Sequence, residues 1–281
     1  MTLLPEILED EADGETLDCY NRLKAALPAR TVNLIYRHLA TIPGALPWAT
    51  SIVEELAPTD FLDRAAQSLA LTPGPQLPPL APQYWHDHGV GEEDRNRALD
   101  ILRVYNSSNP RNLAVLMVMQ HHLDHPGDTA PASAPAGEAQ SPSGRTTPAD
   151  VVSRSDAPLA PPPPPGGVAP EILELIQQTC RQLNISPQLL PTLHRHLGTM
   201  PNLYRALSAT TANVVADGQV SARAQDWEAN AALLAESNNL TLPPPPADST
   251  DRIREAIGVF AHLIPLHCVL GTLWEDRLSG P

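Results

Sequence analysis

The chain says much the same thing twice, and that repetition limits what it can fold into. Tyr36-Arg37-His38-Leu39-Ala40-Thr41-Ile42-Pro43 returns as His194-Arg195-His196-Leu197-Gly198-Thr199-Met200-Pro201. Arg, His, Leu, Thr and Pro stay in register at an offset of 195 − 37 = 158. Asp94-Arg95-Asn96-Arg97 is echoed by Asp251-Arg252-Ile253-Arg254 at 251 − 94 = 157. Two copies are too few for a solenoid, which needs several stacked units to bury a core. A tandem duplication instead sets its halves face to face, as the subunits of a homodimer meet. A ligand cleft is then expected on the pseudo-twofold axis.

Between proline-rich breaks the hydrophobic period is helical. Leu17, Tyr20, Leu23 and Leu27 share a face, as do Leu34, Ile35, Leu39 and Ile42. Trp48, Ile52, Val53 and Leu56 continue the pattern, then Leu62, Ala65 and Leu69, then Ala98, Ile101, Leu102 and Tyr105. Asn109-Pro110 reads as the N-cap and first residue of a new helix through Leu113, Leu116 and Met117. The second half repeats the scheme over 172–183, 189–197, 203–215, 222–236 and 253–273, and no period-2 strand intervenes. From Pro126 to about Pro170 the chain is built largely of Ala, Pro, Ser, Gly and Thr, with Pro161 to Pro165 consecutive. That composition predicts a stiff, extended spacer. The expected architecture is all-α: a first helical repeat over 1–125, a linker over 126–170 and a second repeat over 171–281. Together the repeats form an intramolecular pseudo-dimer, with smaller breaks at Pro73 to Pro82 and Pro243 to Pro246.

Charge and cysteine usage narrow the function. A net charge of −14 argues against the basic face of a nucleic-acid binder. It does not exclude small anions, because a local pocket can be positive on an acidic protein. The acidic start at Glu9-Asp10-Glu11 lacks the pattern of a secretory signal. Apolar runs such as Leu113 to Met119 are too short for a bilayer, so no membrane partner is expected. Three scattered cysteines without a CxxC pair fit a reducing cytoplasm and set thiol redox chemistry aside. There is no phosphate-cradling glycine loop, GxSxG or HExxH. His86-Asp87-His88 and His121-His122 with Asp124 and His125 offer zinc-ligand types, but they flank predicted loops and read as solvated element ends. No metal or cofactor is expected. The duplicated Arg-His-Leu-x-Thr-x-Pro reads as a packing and helix-ending motif.

Arg37-His38-Leu39-Ala40-Thr41-Ile42-Pro43-Gly44-Ala45-Leu46-Pro47 and Ile101-Leu102-Arg103-Val104-Tyr105-Asn106-Ser107-Ser108-Asn109-Pro110 resemble the DehI-type (group I) 2-haloacid dehalogenases. The resemblance implies an all-helical hydrolase of two tandem repeats and a long linker, with its site between the repeats. In that family an aspartate of the second repeat activates water, which displaces the halide directly. An asparagine of the first repeat helps hold the water, and aromatic residues line the halide pocket. The asparagine corresponds to Asn109. The aspartate position falls on Leu193, preceded by Thr192, and no Asp or Glu occurs from Cys180 to Pro201. The first-repeat aromatics fall on Thr31 and Leu34, and a second-repeat tyrosine falls on His262. A leucine cannot accept a proton. His194 is the nearest substitute base, though one step along a helix swings a side chain by about 100°. The resemblance therefore implies a cleft near Asn109 and the 189–197 helix that takes a small-molecule carboxylic acid. Its catalytic candidates are Asn109 and His194, and its substrate-binding candidates are Thr31, Leu34, Thr192, Leu193 and His262. The alternative is a non-catalytic helical pseudo-dimer serving as a small-ligand-binding or scaffold module. Pairing of the whole molecule into a homodimer stays open.

Overall fold

A computed structural model describes residues 4–27, 29–70, 74–125, 159–186, 188–238 and 240–280. Among these residues the elements are helices and no strand occurs. The first half contains α1 (Gly14–Ala26), α2 (Leu34–Leu39), α3 (Ala45–Leu56), α4 (Phe61–Ala70), the one-turn α5 (Tyr84–Asp87) and α6 (Glu92–Asp124). The second contains α7 (Pro170–Gln182), α8 (Thr192–Leu197), α9 (Pro201–Ala216), α10 (Gln219–Glu236) and α11 (Thr250–Ser279). The starts of α7 to α11 follow those of α1 to α4 and α6 at a nearly constant interval, from 170 − 14 = 156 to 192 − 34 = 158. Most of the expected linker, residues 126–158, lies outside the described residues. Residues 159–164 carry no regular element, and Pro165–Gly167 form a single 3-10 turn before α7.

The long helices α6 and α11 lie side by side at the centre, with α10 against both. The short helices cross over: α2 packs on α11, and α8 packs on α6. Other contacts also join the halves. Trp48 Nε1 donates to the Pro243 carbonyl at 2.9 Å, and Ser249 Oγ donates to the Pro43 carbonyl at 2.9 Å. Further along the first half, Tyr84 Oη donates to the Ala206 carbonyl at 2.9 Å, and an Arg95 guanidinium NH2 donates to the Leu278 carbonyl at 3.1 Å. Gly44 turns into α3 at φ 72, where a Cβ would sit 3.0 Å from Pro246 Cγ. The left-handed turn and the close approach both favour glycine there.

Three local expectations change. Leu17 is 42% exposed, and α1 buries Cys19, Tyr20 and Leu23 instead. No helix restarts at Asn109-Pro110, because α6 runs unbroken from Glu92 to Asp124 with Pro110 inside it. An interior proline costs roughly 3 kcal/mol and removes one backbone bond. Here every residue from Asn112 to Met119 is buried, and tertiary burial outweighs the local cost. The Ser108 carbonyl near the break accepts from Asn112 Nδ2 at 2.9 Å. The third change concerns α11, which is long and apolar enough to cross a bilayer. However, 78% of its most apolar window is buried inside the fold, as its central position requires.

Candidate active site

A cavity of about 50 Å³ lies where the two halves meet. Thr31, Leu34 and Asn109 line it from the first half, and Thr192, Leu193 and His267 from the second. Phe260, Leu263 and Ile264 supply apolar wall. The volume exceeds the 10–15 Å³ or so that a water needs. No Asp, Glu, Lys or Arg is among the lining residues.

The polar groups of this wall are oriented by the fold. Asn109, on α6, is buried, and its Oδ1 accepts from Asn33 Nδ2 at 3.4 Å. Tyr105, one turn earlier on α6, meets His196 Nδ1 at 3.1 Å. His196 Nε2 lies 2.6 Å from the Ala160 carbonyl, which can only accept. The ring proton is therefore on Nε2, and the Tyr105 hydroxyl donates to Nδ1. Arg195 also donates to the Pro163 carbonyl at 3.4 Å, so the described end of the linker is fastened over α8. Burial raises the Tyr105 hydroxyl above its ordinary value and lowers His196 below its own.

Thr192 connects the cavity to a buried charge cluster. Its Oγ1 accepts from Arg37 at 3.0 Å and from Arg195 at 3.4 Å. With both lone pairs occupied by guanidinium donors, the hydroxyl hydrogen is what Thr192 can offer to a ligand. The same two guanidiniums, each 1% exposed, pair with one carboxylate. Arg37 Nε is 2.8 Å from Glu6 Oε2, and Arg195 NH1 is 3.1 Å from Glu6 Oε1. The cluster carries a net +1, so an acidic protein places excess positive charge one residue behind its cavity wall. Glu6 lies on an N-terminal arm with no helical period. The arm is tied down by Leu4 N to the Gln188 carbonyl at 2.8 Å and Ile7 N to the Arg37 carbonyl at 3.1 Å. His38 and Pro5 join it, with Nδ1 2.8 Å from the carbonyl.

Of the seven candidate residues, Thr31, Leu34, Asn109, Thr192 and Leu193 converge on the cavity, and two do not. His194 is fully buried but points into the core, with its Nδ1 2.6 Å from Tyr204 Oη and its ring edge-on to His267 and Trp274. Its neighbour His267, by contrast, lines the cavity. His262 is exposed, because its position on α11 faces solvent while Phe260, Leu263 and Ile264 face the cavity. The aromatic side chains on the cavity wall are instead Phe260 and Tyr105. His267 is not among the expected site residues because it sits inside an apolar run that reads as core. The duplicated motif behaves as a helix ending in both copies: Thr41 Oγ1 donates to the His38 carbonyl at 2.8 Å and Thr199 Oγ1 to the His196 carbonyl at 2.7 Å. The zinc-type histidine groups gather no set of three metal-ligating side chains among the described residues.

No protein-family model and no curated protein sequence matches the chain. Solved structures of D-2-haloacid dehalogenases do. A complex with L-LA superposes with a TM-score of 0.74 at 14% identity, covering 99% of this chain and 97% of that one. A mutant enzyme gives 0.73, and a mutant complex with D-2-CPA gives 0.71, each at 14% identity and covering 99% of this chain and 96% of the other. The chain thus has the all-α fold of D-2-haloacid dehalogenases over nearly its whole length.

Proposed function

We propose that the chain is a hydrolase of the DehI type whose duplicated halves, packed as an intramolecular pseudo-dimer, take a small 2-halocarboxylic acid into the cavity between them. The observation that carries this reading is the meeting of Asn109 with Thr192 and Leu193 across the two halves. The constant interval between the helices of the two halves supports the pseudo-dimer. The uncharged wall suits a small organic acid: neutral donors at Asn109 and Thr192 meet its carboxylate, and the net positive cluster behind Thr192 favours an anion. Asn109 holds the attacking water, and the apolar Leu193 replaces a carboxylate that would repel the substrate but activate water. The second reading, a non-catalytic small-acid-binding module, is favoured by that same uncharged wall, which contains no Asp or Glu to act as base.

Halide release from each enantiomer of 2-chloropropionate and 2-bromopropionate decides between them, using wild type, Asn109→Ala and Leu193→Asp. The expected result is release by the wild type that falls about 10²-fold or more in Asn109→Ala, as loss of one positioned polar group does elsewhere. Release only in Leu193→Asp would select the binding-module reading, with a fold that still accepts the chemistry.

A further inference from the structure

We infer that His267 is the general base of this cavity, drawing a proton from a water held beside Asn109. The inference rests on the hydrolytic reading above and supplies the base that Leu193 cannot. His267 Nδ1 lies 2.8 Å from the Leu263 carbonyl one turn earlier on α11. A carbonyl only accepts, so Nδ1 carries the hydrogen and Nε2 holds the lone pair of the neutral ring. That Nε2 is buried and has no hydrogen-bond partner in the protein. A buried acceptor left bare is costly, and a donor hydrogen from a cavity water would remove that cost. The ring is held in place by His194, edge-on at 5.0 Å and 84°. His194 is fixed in turn by Tyr204 and packed edge-on against Trp274.

Burial holds His267 down at about 4, so the imidazole is neutral and ready to accept at pH 7. The titratable groups near it are His194 on α8, Tyr105 on α6 and, beyond His194, Tyr204 on α9. The charged groups Arg37, Arg195 and Glu6 connect to the wall through Thr192. In the step itself, Nε2 takes a proton from water while the water oxygen forms its bond to C2. The C2–halogen bond breaks with its electron pair on the halide, which leaves as the anion. The product is the 2-hydroxy acid with C2 inverted, and the imidazolium then returns its proton to solvent.

The test pairs a binding measurement with a rate. Calorimetry with the unreactive 2-methylpropionate is run beside chloride release from 2-chloropropionate at pH 6–8, for wild type, His267→Gln and His267→Ala. The expected result is 2-methylpropionate binding within threefold of wild type in His267→Gln, with release lowered 10²–10⁴-fold or so. Wild-type release should stay level across that pH range, and added imidazole should restore part of it in His267→Ala. Release by His267→Gln within tenfold of wild type overturns the assignment. So does joint loss of binding and release without imidazole rescue, which marks a structural role. A wild type that binds 2-methylpropionate yet releases no chloride overturns the base while leaving the acid site standing. A wild type that does neither defeats the hydrolytic reading itself.

Discussion

Arg37 and Arg195 occupy matching places in the repeated motif, and a single carboxylate lies between them. Two buried guanidiniums would repel each other without Glu6, and each would lack a counter-ion in a medium that solvates charge poorly. Arginine suits the position, because its planar fork can pair with Glu6 and donate to Thr192 at once. Removing the carboxylate therefore leaves two uncompensated charges. Glu6→Gln is expected to lower stability by about 3–5 kcal/mol, read from urea unfolding. Arg195→Met leaves one neutral Arg37–Glu6 pair and should cost less. The reverse order would mean that Glu6 does not hold both arginines.

At the level of elements, the contact between α6 and α11 governs whether the cavity exists, since Asn109 lies on one and His267 on the other. The helices approach closely at Gly271, where a Cβ would fall on Asn106 Oδ1. Asn106 is not free to swing aside: its Nδ2 donates to Glu275 Oε2 at 2.7 Å, and Glu275 also accepts from Arg103 at 3.4 Å. Gly258, on the same helix, has open space where its Cβ would be. Gly258→Ala should therefore stabilise by up to about 1 kcal/mol through helix propensity. Gly271→Ala gains the same propensity but overpacks the contact, which typically costs about 1–3 kcal/mol, so its urea midpoint should fall. Equal gains at both sites would show that α6 and α11 yield easily. Each long helix also carries an interior proline, Pro110 and Pro265. Local chemistry at Asn109-Pro110 announces a helix start, yet burial of the flanking turns carries α6 straight through it.

For the whole molecule, the helical class was legible because a 3.6-residue period survives in every long element, and the repeated motif pointed to two similar halves. Five cavity residues were legible through the family resemblance. Glu6 was not, because an arm without period gives no sign of where its side chain goes. His267 was not either: it differs from the expected His262 by five residues, about 140° around a helix, which separates solvent from core. The burial that separates His267 from His262 also governs the molecule's response to acid. His38, His194, His196 and His267 are all held below their ordinary values, with burial the leading cause. Near pH 6.5 and below, the unfolded chain takes up protons on these rings while the folded chain declines them. The unfolded state then binds more protons, so stability is complete above about pH 7 and is lost as pH falls toward 5. A single fully shifted ring contributes at most about 1.4 kcal/mol per pH unit over which only the unfolded chain takes up the proton. Carboxylates such as Glu54, held low by Arg22, add their own loss only at lower pH, outside that interval. Urea midpoints at pH 7.5, 6.5 and 5.5 should fall progressively. Level midpoints would mean that the buried rings take up protons as readily as free ones, and that burial does not hold His267 low.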